Sequence, residues 1–249
     1  MNMIIMNQEG MLFDFLRVMP NEIMWIVFAL VNFGLITIFY KMFGKTGLFV
    51  WIGFGTVLAN IQVTKQIELF GMVATLGNIM YGTIFLATDA FNEKYGPKEA
   101  KKAVWLGFFT LLATVIIMQM AVAFYELAND PNVAEIQFSI LKIFGFMPRI
   151  ALGSLVAYLL SQHIDVYLFA KIKAKYSSKK QLWIRNNGST IFSQMIDTVI
   201  FVTIAFIGVV ESPVFWDILM TTYIVKLLVA MLDTPFVYLI KRIKPIYED

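Results

Sequence analysis

Long apolar segments alternate with short polar connections along almost the whole chain. Seven of these segments approach the roughly 20 residues that an α-helix needs to cross the hydrocarbon core of a bilayer. They lie at about 22–40, 46–64, 71–91, 103–124, 143–170, 190–210 and 216–240. This pattern predicts an all-α integral membrane protein, a polytopic bundle of about seven transmembrane helices.

The composition agrees with a membrane-embedded chain. Of the 249 residues, 59% are hydrophobic and 15% are charged, whereas soluble domains carry about 25% charged residues. The residues before the first apolar segment hold Glu9, Asp14 and Glu22 against one cation, Arg17. A cleaved signal peptide begins with a basic region and has a shorter apolar core. We therefore expect the first segment to remain as a helix.

Positive charge follows every second apolar segment. Fifteen of the 20 lysine and arginine residues lie at 41–45, 94–102, 171–185 and 241–244. Because lysine and arginine are enriched in cytoplasmic loops, seven spans with the N-terminus outside and the C-terminus inside place all four stretches on one face. The pI of about 8.9 is therefore a topology signal, and we expect no nucleic-acid partner.

The chain lacks the residues that several kinds of catalytic site require. The chain has no cysteine and one histidine, His163, which excludes disulfides, thiolate catalysis and histidine-rich metal sites. It contains no G-x-x-x-x-G-K-[ST] phosphate loop, no H-E-x-x-H and no G-x-S-x-G motif. We therefore expect no cofactor, no bound metal and no enzymatic activity, and ATP hydrolysis would have to come from another chain.

A polar pattern, S-Q-x-I-D-x-x-x-F, occurs at 161–169 and again at 193–201, within the fifth and sixth apolar segments. A carboxylate at membrane depth is costly, so it indicates a functional site. Antiparallel helices should place Gln162 level with Asp197, and Asp165 level with Gln194, as two reciprocal amide–carboxylate pairs. Hydrogen bonds that only hold the helices together are the alternative, which we prefer for the serines of the pattern.

Three further charges lie in or near the apolar segments. Lys226 is too deep to reach the interface and needs a carboxylate partner, either Asp197 or Asp233. Arg149, near the outer end of the fifth segment, is either an interfacial anchor or a substrate contact. Asp89, at the inner end of the third segment, is either a solvated helix-terminal carboxylate or part of the site. Solvation from the inner side is also an alternative for Asp165.

Carboxylate and amide groups among aromatic side chains such as Phe201 suit a planar heterocycle. A guanine-like edge offers adjacent N–H donors to an aspartate and a carbonyl oxygen to a glutamine amide. Apolar walls would hold the ring by stacking. The same groups bind many polar solutes, so the ligand stays open at this point.

Over about residues 46–245 the chain resembles the queuosine precursor transporter family. The resemblance rests on Phe85-Leu86-Ala87-Thr88-Asp89 with Glu93 and Tyr95-Gly96; Arg149-Ile150-Ala151 with Ser154 and Ala157-Tyr158; Gln162, Asp165-Val166 and Phe169; Ser189-Thr190, Asp197-Thr198, Phe201 and Ala205-Phe206; and Lys226 and Pro235. It implies uptake of 7-deazaguanine precursors of queuosine, in the cyano and aminomethyl forms or as queuine, across the cytoplasmic membrane. It also implies a six-helix core, so we divide the chain into an N-terminal extension with an additional helix (1–45) and the transporter core (46–249).

The site that we expect lies between the third, fifth, sixth and seventh apolar segments. Asp197 would hold the N–H edge of the ring and Gln162 would donate to its carbonyl. Lys226 would set the charge of Asp197, and Asp165 or Asp89 would meet an aminomethyl cation. The rival hypotheses are a substrate-binding subunit of an ATP-driven vitamin uptake system, and a membrane enzyme or scaffold. A homodimer stays open.

Overall fold

Helices form most of the computed structural model, which describes residues 18–127, 130–145, 148–208 and 211–247. The helices are α1 (Asn21–Gln62), α2 (Gly77–Lys94), α3 (Pro97–Val122), α4 (Pro131–Ile140), α5 (Pro148–Lys175), α6 (Leu182–Phe206) and α7 (Ser212–Arg242). A π-helical turn, Leu141–Gly145, follows α4, and a 3-10 turn, Lys179–Gln181, precedes α6. Strands β1 (Gln66–Leu69) and β2 (Met72–Thr75) form an antiparallel hairpin between α1 and α2.

Five helices are long and apolar enough to cross a bilayer: α1, α3, the Leu152–Lys175 part of α5, α6 and α7. Their outward faces carry large apolar side chains, as expected of helices surrounded by lipid. The prediction of an all-α membrane protein is therefore confirmed. By contrast, α2 is a shorter helix of 18 residues in which nearly every residue is buried. It occupies the middle of the bundle.

The chain reverses direction inside α1. Gly44 has φ 53° and ψ −131°, a conformation that residues with a Cβ rarely adopt. The Phe39 ring lies 5.4 Å from the Trp51 ring and 5.9 Å from the Phe54 ring, although a straight helix would separate residues 39 and 54 by about 22 Å. A Cβ on Gly47 would collide with the carbonyl oxygen of Phe39. Residues 21–43 and 45–62 are therefore two antiparallel helical segments. The proposed division after residue 45 falls next to this reversal, and the status of 1–45 as an addition to a core stays a prediction.

The central helix α2 runs parallel to α5 along its polar face. The Thr88 hydroxyl donates to Gln162 at 3.0 Å, and the Asn92 amide donates to the Val166 carbonyl at 2.7 Å. In both pairs the residue on α5 lies 74 positions after its partner on α2. Such a constant difference is expected of parallel helices. Helix α7 also runs parallel to α2, since α2 contacts it at Gly82–Val229 and again at the Lys94–Ile240 hydrogen bond.

Basic residues from several helices meet at one end of the bundle, around a single glutamate. Arg185 of α6 donates to both carboxylate oxygens of Glu93, at 2.7 and 3.0 Å. Lys241 of α7 also pairs with Glu93, and Lys173 of α5 does so at 3.2 Å. We call these four residues the Glu93 cluster, and the end of the bundle that contains them the basic end. The cluster joins the ends of α2, α5, α6 and α7.

Two element predictions need correction. The third apolar segment was predicted to be helical from residue 71, but α2 begins at Gly77 because 66–75 forms the hairpin. Its turn is made by Phe70 and Gly71, both with positive φ. The alternation of polar Gln66 and Glu68 with apolar Ile67 was the strand signal. Helix α4 was also not predicted, and the fifth apolar segment becomes α5 only from Pro148.

Candidate functional site

Helices α5 and α6 pack against each other more closely than large side chains would allow. A Cβ on Gly153 of α5 would lie 3.4 Å from Ile204, and one on Gly188 of α6 would lie 3.2 Å from Ile172. Small residues at both ends of the contact let the backbones approach, as is common between membrane helices. The polar repeat lies between these two glycine contacts.

The two copies of the repeat exchange hydrogen bonds. The Ser161 hydroxyl donates to Oδ1 of Asp197 at 2.8 Å, and the Ser193 hydroxyl donates to Oδ1 of Asp165 at 2.8 Å. Each serine of one copy thus holds the aspartate of the other. This arrangement relates the antiparallel α5 and α6 by a local two-fold axis.

The predicted pairing of Gln162 with Asp197, and of Gln194 with Asp165, is wrong. The levels were correct to within one residue, but one residue turns a helix by about 100°. The side chain that faces each aspartate is therefore the adjacent serine. The interpretation of Ser161 and Ser193 as interhelical hydrogen-bond donors is confirmed.

The two glutamines face other parts of the interior. Oε1 of Gln162 accepts the hydrogen bond from Thr88 of α2, while its Nε2 is buried and has no partner among the described residues. Oε1 of Gln194 is likewise buried without a donor. Buried polar atoms are nearly always paired in folded proteins. These atoms offer one free donor and one free acceptor inside the bundle.

Asp197 and Lys226 form an ion pair between α6 and α7, with 14% and 6% of their side chains exposed. The prediction that Lys226 needs a carboxylate partner is confirmed, and the partner is Asp197. Asp233, the other candidate, instead accepts a hydrogen bond of 2.9 Å from Asn186. Asp197 therefore holds both the Ser161 hydroxyl and the Lys226 ammonium.

Asp89 lies on α2 and is fully buried, as is Asp165. The two alternatives of a solvated helix-terminal Asp89 and a solvated Asp165 are therefore wrong. Oδ2 of Asp89 accepts from the Thr190 hydroxyl at 3.5 Å, one turn of α6 before Ser193, which holds Asp165. Asp233 is their nearest further acidic neighbour.

The remaining two predicted site residues have different outcomes. Phe201 lies one helical turn beyond Asp197 on α6, is half-buried, and packs edge-on against Phe206 at 6.1 Å. Arg149 lies in the first turn of α5, and its side chain falls outside the described part of the structure. The structure thus brings Asp89, Asp165, Asp197, Gln162, Gln194 and Lys226 to one set of helices, α2 and α5–α7.

Sequence analysis did not place Asp233 and Thr190 in the site. Asp233 carried a usable signal, a carboxylate well inside an apolar segment, but it was considered only as a partner for Lys226. Thr190 stood only within the Ser189-Thr190 motif of the family resemblance and received no role, because a single threonine in an apolar helix usually bonds to its own backbone. Among the described residues, no group of three or more His, Cys, Asp or Glu side chains could hold a metal ion.

Residues 75–240 match a family described as "Putative vitamin uptake transporter". A "Probable queuosine precursor transporter" of Bacillus subtilis (strain 168) is 50% identical over 227 residues, which are 91% of this chain and 97% of that protein. The chain belongs to the queuosine precursor transporter family. The family match covers the whole of α2, α3 and α4–α6 and nearly all of α7, and therefore all the polar groups described above.

More distant relatives carry the same family name. A "Queuosine precursor transporter" of Escherichia coli (strain K12) is 27% identical over 149 residues, 59% of this chain and 62% of that protein. A "Probable queuosine precursor transporter" of Haemophilus influenzae (strain ATCC 51907 / DSM 11121 / KW20 / Rd) is 29% identical over 137 residues, 55% of this chain and 54% of that protein. No solved structure matches the chain.

Proposed function

We propose that this chain imports 7-deazaguanine precursors of queuosine across the cytoplasmic membrane, without catalysing a reaction. The observation that carries the proposal is the set of buried polar atoms without partners, Nε2 of Gln162 among them, between helices of a family whose members are named for this cargo. A buried donor or acceptor without a partner costs free energy. A ligand that supplies the missing partners recovers that cost.

The proposed contacts follow the edge of a guanine-like ring. Asp197 accepts from the ring N–H edge and Gln162 donates through Nε2 to the ring carbonyl, while Gln194 contributes its free Oε1. Phe201 provides an apolar wall one turn beyond Asp197. Lys226 supplies the counter-charge of Asp197 through their ion pair.

The substituent of the ring meets the other acids. A cyano group is neutral, whereas an aminomethyl group is a cation that would be attracted by Asp165 or Asp89. Both aspartates have one oxygen without a donor. We propose Arg149, at the far end of α5 from the basic end, as a contact on the outer side of the site.

We further propose seven spans with the N-terminus outside and the C-terminus inside. The reversal at Gly44 supports a separate first span, and the parallel packing of α2, α5 and α7 supports alternating directions for the rest. The basic end would then be cytoplasmic. Because the chain has no cysteine, single cysteines at Glu126 and Lys98 can be labelled from outside with a membrane-impermeant maleimide. Only the Glu126→Cys variant should react in intact cells, and labelling of Lys98→Cys would overturn this topology.

Translocation would proceed by alternating access around the buried site. In the state described here the Glu93 cluster ties the basic end together, so its opening would release substrate to the cytoplasm. The lipid bilayer is then the main partner. A homodimer remains a prediction, and molecular-mass measurement in nanodiscs would decide it.

The test is uptake by a strain that cannot make the precursor, with purified protein in proteoliposomes alongside. Wild-type chain alone in liposomes should take up labelled 7-cyano-7-deazaguanine without ATP. Asp197→Asn should lose most of this uptake, whereas Asp217→Asn, an exposed carboxylate at the start of α7, should not. Transport that requires a separate ATPase would favour the subunit hypothesis instead.

A further inference from the structure

Three carboxyl groups lie together in the interior with no positive charge beside them. Asp89, Asp165 and Asp233 are all fully buried, on α2, α5 and α7. None of the ion pairs among the described residues involves any of them. The two buried cations among the described residues are committed elsewhere, since Lys226 pairs with Asp197 and Arg185 with Glu93.

Each of the three carboxyl groups is held by one neutral side chain and has one oxygen left over. Thr190 donates to Oδ2 of Asp89, and Ser193, three residues along the same face of α6, donates to Oδ1 of Asp165. This leaves Oδ1 of Asp89 and Oδ2 of Asp165 without donors. Oδ2 of Asp233 is also without a donor.

Two ionised carboxylates cannot remain in contact in an apolar interior, because each would desolvate and repel the other. Asp89 and Asp165 are both fully buried against the same stretch of α6, since Thr190 bonds to Asp89 and Ser193, one turn further along, bonds to Asp165. One proton between them would remove one negative charge and supply the missing donor as an O–H···O bond. Oδ1 of Asp89 and Oδ2 of Asp165 have no hydrogen-bond partner among the described residues.

We infer that Asp89 and Asp165 share one exchangeable proton, and that this proton is carried with the substrate to drive uptake. The inference rests on the proposed transport function and adds an energy source to it. The proton binds while water reaches the pair from the outer side, and it leaves to the cytoplasm when the basic end opens and water reaches the pair from there. No bond other than O–H forms or breaks.

The groups around the pair come from four helices. On α2 the next acid is Glu93, one turn away and held by the three cations of the Glu93 cluster. On α5 the neighbour is Gln162, on α6 Thr190 and Ser193, and on α7 Asp233. Gln162 is three residues from Asp165 and bonds to Thr88, which precedes Asp89. Its free Nε2, proposed to contact substrate, thus links the substrate to the proton pair.

The experiment compares two transport modes in proteoliposomes loaded with wild type, Asp89→Asn or Asp165→Asn. Exchange of labelled for unlabelled 7-cyano-7-deazaguanine at equal pH needs no net proton movement. Net accumulation under an inward proton gradient does need net proton movement. With one proton carried per substrate, each pH unit of gradient allows about tenfold accumulation. This cyano compound is neutral, so the gradient cannot act on its own charge.

Wild type should accumulate substrate under the gradient and lose this on addition of a protonophore. Asp89→Asn and Asp165→Asn should reach only the equilibrium level under the gradient, whatever fraction of wild-type exchange each retains, and Asp217→Asn should behave as wild type. The inference would be overturned if wild type accumulated substrate to the same level without the gradient or with the protonophore. It would also be overturned if Asp89→Asn accumulated substrate under the gradient. Wild type that shows no exchange at all would instead refute the proposed function, and the proton inference with it.

A second measurement covers variants that fold poorly. Infrared difference spectra of purified wild type, recorded between acid and alkaline pH, should show the C=O stretch of a protonated buried carboxylic acid. Asp89→Asn and Asp165→Asn should each remove that band, while Asp217→Asn keeps it. Its persistence in both variants would overturn the assignment of the proton to this pair.

Discussion

The hydroxyl of Ser161 lies 2.8 Å from Oδ1 of Asp197, and the local two-fold axis relates this contact to the one between Ser193 and Asp165. The two bonds join antiparallel helices that carry the same polar pattern, so each helix supplies both a donor and an acceptor. Asp197 additionally pairs with Lys226, whereas Asp165 lies beside Asp89. Two equivalent aspartates thereby acquire different surroundings, one cationic and one acidic.

That difference in surroundings suits the two aspartates to the different roles proposed for them. A carboxylate beside an ammonium stays ionised and accepts N–H donors from a ligand. A carboxyl beside another carboxyl gains from a proton. Helices α5 and α6 are related by a local two-fold axis, but their neighbours are not: α7 places Lys226 at Asp197, and α2 places Asp89 near Asp165. The proposed substrate site and proton site rest on this difference.

The ion pair of Asp197 and Lys226 should stabilise the fold only as a pair. Asp197→Asn leaves a lysine ammonium that is 6% exposed without its partner, and Lys226→Met leaves the carboxylate alone. Removing one member of a buried pair costs about 3 kcal/mol or more, whereas replacing both is often nearly neutral. We expect the double variant to melt closer to wild type than either single variant.

Binding should separate from stability in this series. All three variants should bind 7-cyano-7-deazaguanine at least about tenfold more weakly, which corresponds to about 1.4 kcal/mol. Thermal shift on purified protein in detergent gives both quantities. Wild-type affinity in the double variant would show that Asp197 does not contact the ligand.

Gln162 should matter through its free amide nitrogen. Gln162→Leu removes the donor and should weaken binding by about fivefold, because a neutral hydrogen bond contributes about 1 kcal/mol. Thr88→Val keeps that donor but removes the hydroxyl that orients the side chain, so it should weaken binding less. Equilibrium dialysis with labelled ligand measures both. A larger loss in Thr88→Val than in Gln162→Leu would contradict the assigned order.

Some features of this molecule were predictable from the sequence and others were not. The register of α5 against α6 was predictable to one residue, because apolar length and basic flanks fix where each helix ends. The identity of the facing side chain was not, since it changes with every 100° of helix rotation. Asp197 and Lys226 were predictable as partners because a deep lysine requires an acid.

The hairpin at 66–75 and the burial of Arg185 show the other limit. Arg185 was counted among the cytoplasmic cations, yet its side chain is fully buried. Only the approach of four helix ends supplies the carboxylate and carbonyl oxygens that make this burial tolerable. Contacts between residues that are far apart in the chain produce no periodic pattern in a single sequence.

The turn at Gly44 should not accept a side chain. Its φ of 53° with ψ of −131° strains any L-residue, at a cost of about 1–3 kcal/mol. Gly44→Ala should therefore lower the melting temperature. The matched control is Gly34→Ala in the preceding helical segment, where a Cβ meets nothing within 4 Å and helix propensity favours alanine. Equal destabilisation by the two variants would contradict the assigned turn.

The Glu93 cluster should make stability depend on pH. Burial alone would raise the pKa of Glu93, but the hydrogen bonds from Arg185 and Lys241 outweigh it and hold the pKa below the ordinary value of 4.5. A lowered pKa means that the carboxylate stabilises the fold above pH 4.5 and that this contribution is lost as the pH falls through the folded-state value. Glu93→Gln leaves the buried Arg185 without its counter-charge, at a cost of about 3 kcal/mol.

Melting temperatures of wild type and Glu93→Gln in nanodiscs should therefore differ at pH 7 and converge as the pH falls well below 4.5. Glu99→Gln is the matched control, because it removes the same charge from pairs with Lys45 and Lys102, whose side chains are 36% and 67% exposed. Exposed pairs contribute little, so this control should melt close to wild type at every pH. A constant difference between wild type and Glu93→Gln down to the lowest pH would show that the carboxylate charge is not what holds the basic end together.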